Sequence, residues 1–456
     1  MKIDQRITAK SLQSPLDRFL GIAQAKTLRL ARKWHNGLDG AGAPVFTRRG
    51  RYTARGWTEW TQGFLFGMPL LVFDATGDTD CLDAGVRGTL ERMASHVSHV
   101  GVHDHGFNNV STYGTLRRLI LEGRVADDDG LLAHCELALK VSGAVQAARW
   151  TDAPGAKGGY IYSFNGPHSL FSDTIRSCRS LVLAHLLGHA LMGENDRPVS
   201  LMERAATHIR TTLAHNVYYG AGRDHYDVRG RVAHESLFNT NDGCYRCPST
   251  QQGYSPFSTW TRGLAWVLLG CAEELECLAE CPTDFPGRRE LITAMLEAGR
   301  ATADFYMEKT TLDGIPLWDT GAPGAVNMPE YRNTPSDPFN DWEPVDSSAA
   351  AIAAQGLLRL GRHLGGAMGA KYLKAGMTVA RTLFSPPYLS ESPRHEGLVL
   401  HSVYHRPNGW DYVPKGCRVP CGESSMWGDY HAVELAVLLK RMAAGERPNT
   451  FYGPES

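Results

Sequence analysis

Apolar residues recur at helical spacing along almost the whole chain. Leu16, Phe19, Leu20, Ala23, Thr27 and Leu30 fall three or four apart, and Ser14-Pro15 ahead of them reads as an N-cap followed by proline in the first helical position. This predicts a first helix over about 14–34. Further helices are predicted near 57–76 (closed by Gly77), 80–97, 107–122 and 126–149, where Leu131, Leu132, Cys135, Leu139 and Val145 share one face. The series continues near 170–192, 199–216, 258–280, 288–308, 346–364, 371–383 and 423–442. Few segments alternate as strands do. Asp74-Ala75-Thr76-Gly77-Asp78 and Leu191-Met192-Gly193-Glu194-Asn195-Asp196 mark helix ends and suggest a weak hairpin repeat. Twelve helices in six hairpins predict an all-α fold, an (α/α)6 barrel forming one domain over 1–456. An open helical solenoid is the alternative. Varied loop lengths and a single tryptophan-rich loop speak against it. The longest loops precede helices six, eight, ten and twelve, which share one rim of an alternating barrel, so that rim is where a site is expected.

Composition narrows the function classes. A chain of 456 residues can bury a large core. Lys plus Arg is 47 and Asp plus Glu is 48, so no global charge points to nucleic acid or a membrane surface. The first fourteen residues are charged and polar, unlike a signal peptide, and no apolar run approaches a membrane span. Ten cysteines in so long a chain make no dense disulfide framework, which makes a reducing cytoplasm the expected location.

The chemistry gathers in a few stretches. From Gln252 to Trp266 a polar loop enters a helix that Ser258 or Thr259 can cap. Trp260, Arg262, Gly263 and Trp266 follow within two turns. Indole faces stack on a pyranose and an Arg fork matches a carboxylate, although a buried helix start with tryptophan in the core has the same composition. Trp60 opens the second helix. His103-Asp104-His105-Gly106-Phe107 precedes the fourth, where Asp104 is either a cap or a functional carboxylate. Neighbours on an extended segment face opposite ways, so these three do not bind one metal together. Asp173 opens the sixth helix, and Arg176 one turn later can hold it ionised, which opposes a proton-donor role unless Arg176 points elsewhere. Two carboxylates in distinct environments are what glycoside chemistry requires. Cys244 and Cys247 in one long loop, and Cys417 and Cys421 in another, form either a four-thiolate zinc site or four reduced thiols.

The register from Gln252 to Trp266 resembles, without a gap, the Gln-Gly-Tyr-Ser and Trp-x-Arg-Gly-x-Ala-Trp pattern of the unsaturated glucuronyl hydrolases, with Leu264 where that family usually has Gln. His103–Phe107 resembles its His-Asp-x-Gly-Phe signature. Asp346–Ala350 resembles its Asp-Ser-Ser-Ala-Ala segment. Ser424–Tyr430 resembles its Ser-x-x-Trp-Gly-Asp-Tyr segment. The resemblance implies the six-hairpin barrel and a hydrolase acting on a 4,5-unsaturated glucuronyl terminus of an acidic oligosaccharide or glycoside. In that family an Asp protonates the C4–C5 double bond, water adds at C5, and the hemiketal collapses to release the aglycone. Carried over, Asp173 is acid and base and Asp104 assists. Arg262, Gln252, Trp260, Trp266, Trp60, Ser424, Ser425 and either His225 or His234 contact the sugar. No metal or organic cofactor is implied. Hydrolysis of a saturated β-glucuronide is the nearest alternative, ahead of a non-catalytic sugar-binding barrel and of a lyase or epimerase.

Overall fold

The protein is described by a computed structural model covering residues 1–35, 43–54 and 59–454. Among these residues twelve principal helical segments run in chain order. They are α1 (Gln13–His35), α2 (Gln62–Thr76), α3 (Thr79–Arg92), α4, α5 (Leu131–Ala148), α6, α7 (Leu201–His215), α8 (Thr261–Glu280), α9 (Arg288–Lys309), α10 (Ser347–Leu364), α11 (Gly366–Leu383) and α12 (Met426–Ala444). Two of them are broken. α4 joins His105–Asn108, a π-helical stretch Val110–Gly114 and Thr115–Leu121, and α6 joins Thr174–Ser177 to Arg179–Leu186.

The two sets of helices differ as their sequences require. A helix apolar on every side belongs in an interior, and one with an apolar stripe belongs on a surface. α8 is buried at every position from Thr261 to Leu278, α10 from Ser347 to Gly361 and α12 from Met426 to Leu439. α1 instead buries a stripe that includes Leu16, Phe19, Leu20, Ala23 and Leu30. The inner helices close a ring: α2 packs on α4, α4 on α6, α6 on α8, α8 on α10, α10 on α12, and α12 back on α2. The odd-numbered helices lie outside them. This is the all-α six-hairpin barrel, and among the described residues no open solenoid edge remains. Close approach within the ring depends on glycine. A Cβ on Gly63 would sit 2.3 Å from the Asn108 backbone, and one on Gly106 would sit 2.6 Å from that of Ser177.

Short antiparallel strands decorate the barrel. Ser169–Phe171 pairs with Glu235–Phe238, which pairs with Tyr245–Ser249. The first of these strands corrects the expected start of α6. Leu170 and Phe171 are apolar enough to read as helix, but their backbone pairs with Ser236 and Glu235, and helix begins only at Thr174. α1 starts at Gln13 behind a short 3-10 turn, so Ser14 is not its cap. Neither Ser258 nor Thr259 caps α8. Ser258 Oγ donates to the Ser255 carbonyl (3.1 Å), and Thr259 Oγ1 accepts from the Val232 N–H (3.2 Å). The expected start of α2 at Trp57 and Thr58 lies outside the described residues.

Candidate active site

The loops entering the inner helices meet around a cleft of about 710 Å³. Asp104 immediately precedes α4 and Asp173 immediately precedes α6. Neither side chain caps its helix. Both line the cleft instead, 4% and 9% exposed. His103 stands between them, its Nε2 3.8 Å from Asp104 Oδ1 and 3.7 Å from Asp173 Oδ1.

The two carboxylates differ electrostatically. Burial pushes Asp104 up to about 6, aided by the nearby Asp173 charge and opposed by His103. Burial acts the same way on Asp173, but the His103 contact and the positive charge of His103 and Arg262 hold it below the usual carboxylate range. His103 is raised despite its burial, because both carboxylates favour its charged form. Arg176 has no part in this. Its Nε and Nη2 grip Glu273 (2.9 and 3.0 Å), Nη2 reaches Glu434 (2.9 Å) and Nη1 donates to His431 Nε2 (2.6 Å), all inside the ring. The objection that Arg176 would hold Asp173 ionised is removed, and His103 takes that role.

Aromatic side chains wall the cleft. Trp60, Trp260 and Trp266 all line it. Trp60 stacks on Trp427 at 5.2 Å, and the Arg262 guanidinium lies over both Trp260 (4.5 Å) and Trp427 (4.9 Å). Arg262 borders the cleft, but its fork is already filled. Nη1 donates to Asp346 Oδ2 (2.9 Å) and to the Val403 carbonyl, and Nη2 donates to Gln252 Oε1 (2.8 Å) and the Tyr404 carbonyl (2.8 Å). The fork expected to meet a sugar carboxylate is therefore occupied by the protein, and what Arg262 presents to the cleft is a firmly held Gln252. Asp346 caps α10 through its other oxygen, at 3.0 Å from the Ser348 N–H, so one carboxylate ties two of the sequence motifs together.

Of the two candidate histidines, His234 does not line the cleft but packs directly behind two residues that do. Its ring is buried against Phe171 (4.5 Å) and Trp260 (4.7 Å). Nδ1 accepts from the Gln251 N–H at 2.9 Å, and Nε2 is buried without a hydrogen-bond partner. Burial lowers this ring to about 4, so it is neutral. His225 is exposed on its loop and does not line the cleft. The local pattern around His225 misled, because the chain between it and Gln252 turns back through two strands. Ser424 and Ser425 do not line the cleft either. Ser425 Oγ caps α12 through the Gly428 N–H (3.2 Å), and the Ser424 backbone bonds the strand at Thr47. The four rim thiols also fail to converge. Among the described residues no three metal-ligating side chains come together, and Cys417 and Cys421 meet only each other, Sγ to Sγ 3.6 Å. Sequence reasoning weighed His103 only as a metal ligand and passed over Phe164, Tyr404 and His405, and all four line the cleft. His103 stood beside a chosen carboxylate, whereas Tyr404 and His405 lie in a loop with no periodicity to mark them.

A closed ring of inner helices, open at one end onto two buried carboxylates and a tryptophan wall, defines a six-hairpin (α/α)6 barrel with a cleft at one rim. The particular likeness is to unsaturated glucuronyl hydrolases. The chain is 27% identical over 385 residues to the unsaturated glucuronyl hydrolase of Formosa agariphila, covering 84% of this chain and 80% of that one. It is 21% identical over 391 residues to the unsaturated chondroitin disaccharide hydrolase of Streptococcus agalactiae, covering 83% and 81%. The crystal structure of the unsaturated glucuronyl hydrolase of Bacillus sp. GL1 superposes with a TM-score of 0.71 at 21% identity, covering 97% of this chain and 100% of that one. No family model matches the chain. The structural likeness shows the fold, and the sequence likeness is to unsaturated glucuronyl hydrolases.

Proposed function

We propose that the protein is a glycoside hydrolase that removes a terminal 4,5-unsaturated glucuronyl residue from an acidic oligosaccharide or glycoside. The observation that carries this reading is the pair of buried carboxylates, one raised and one lowered, at the tryptophan-walled end of the barrel. Asp173 protonates C4 and then accepts a proton from the water that attacks C5, and Asp104 assists from the other side of His103. Trp60, Trp260, Trp266 and Gln252 hold the sugar, His234 backs Trp260, and Arg262 holds Gln252. One catalytic domain is supported by a hydrophobic core whose members run from Ile7 to Tyr452. Among the described residues no helix is long and apolar enough to cross a membrane. Ten free cysteines support the reading of a reducing, cytoplasmic setting.

The test is incubation with an unsaturated uronide beside the matching saturated glucuronide. Loss of the double-bond absorbance in the first, with no sugar released from the second, is the expected result. Asp173→Asn keeps its fold and loses on the order of a hundredfold to ten-thousandfold in turnover. Near-normal turnover in that variant moves the acid role to Asp104.

A further inference from the structure

In the resting cleft Asp173 is charged, yet the reaction asks it for a proton. We propose that His103 is a positioning residue that stores this proton, and that the Nε2–H of its imidazolium passes to Asp173 when a sugar fills the cleft. This rests on the hydrolase reading above.

The geometry supports a fixed relay. The ring is 1% exposed and wedged edge-on against Phe164 (4.6 Å) and Phe171 (5.7 Å). The His103 carbonyl accepts from Gln146 Nε2 at 2.8 Å. The oxygen of the same amide accepts from Ser177 (3.1 Å) and Ser180 (2.8 Å) of α6. One glutamine therefore sets His103 in register with the helix that begins beside Asp173. Asp173 Oδ1, the atom nearest Nε2, makes no hydrogen bond elsewhere.

The surrounding charges fit the same role. Asp104 and Asp173 favour the imidazolium, and Arg149 at the end of α5 opposes it. The other histidines nearby do not compete. Burial holds His105 to about 4, His208 on α7 to about 3 and His234 to about 4. Filling the cleft expels water, which disfavours charge on both partners, and a uronate anion pushes the carboxyl further up. The His103 Nε2–H bond then breaks and an Asp173 Oδ1–H bond forms, turning an ion pair into two neutral groups. The 3.7 Å separation closes to hydrogen-bond length, as catalytic contacts do on substrate binding. Asp173 gives the proton to C4, takes one from the attacking water and returns it to His103. Water supplies both the proton balance and the hydroxyl at C5.

His103→Gln keeps a donor toward the carboxylates but carries no proton. On an unsaturated uronide its kcat falls about a hundredfold or more while KM changes little. The alkaline limb of its kcat/KM profile moves down by about one pH unit or more, because Asp173 must then take its proton from bulk water. His103→Ala regains turnover when imidazole is added. Near-normal kcat in His103→Gln, or a loss of kcat with an unmoved pH profile, overturns the proposal. Should neither variant fold, 15N shifts of the His103 ring in the wild-type protein decide the matter: an imidazolium near pH 6 supports storage and a neutral ring overturns it. A wild-type protein that leaves unsaturated uronides intact removes the hydrolase reading instead, and the ring shifts still report separately on His103.

Discussion

Arg262 gives up the bidentate contact that its residue type suggests, because two carbonyls, Asp346 and Gln252 already fill it. Lys offers a point charge and no planar fork. Arg262→Lys is therefore expected to lower stability by about 1–3 kcal/mol and to reduce turnover of uronides and neutral glucosides alike. Melting temperature and paired kcat/KM measurements check this, and a loss confined to uronides would return Arg262 to direct carboxylate binding. Asp104 makes the opposite case. Its folded pKa of about 6 stands above the ordinary 3.8, so its contribution to stability is complete below about pH 4 and is lost as pH rises through 6. Asp104→Asn never ionises. At pH 7 it is expected to exceed the wild type in stability by up to about 2–3 kcal/mol while losing activity, and the gap closes near pH 4. Urea denaturation at the two pH values measures it, and a variant weaker than wild type at both would refute it. At this scale the carboxylates were legible because each opens a helix beside a recognisable motif. The partners of Arg262 were not, because Asp346, Val403 and Tyr404 lie 84 to 142 residues away along the chain.

The elements were legible in proportion to how far periodicity alone decided them. α9 and α10 begin and end within about one residue of expectation, because a periodic apolar run decides α9 and the Asp346 cap agrees with the run in α10. α6 was misplaced because a strand partner more than sixty residues on claims Leu170 and Phe171, and no local pattern announces a pairing partner. α4 and α6 also carry the two carboxylates, so their spacing sets the site. Gly106 lies in that seam, directly against Ser177. Gly106→Ala is expected to cost about 1–3 kcal/mol by overpacking and to spread the carboxylates, lowering kcat more than it raises KM. Thermal melts with steady-state kinetics show whether the two losses travel together, and an alanine tolerated on both counts would mean the helices have room to part.

For the whole molecule the ring matters more than any single hairpin. Since α12 packs back on α2, no group of helices forms an independent edge, and one cooperative transition is expected. Tryptophan fluorescence and far-ultraviolet circular dichroism should report the same midpoint, whereas two separated midpoints would show that parts of the ring melt alone. The same closure governs how the protein is born. A ribosome delivers α2 early and α12 late, so through most of synthesis the wall from Phe64 to Phe73 has no partner across the seam. Tyr404 and His405, which line the cleft, and Trp427, which stacks on Trp60, also emerge late. A growing chain is thus an exposed apolar surface before it is a catalyst, and a message cut short yields a client for chaperones and proteases rather than a weaker enzyme.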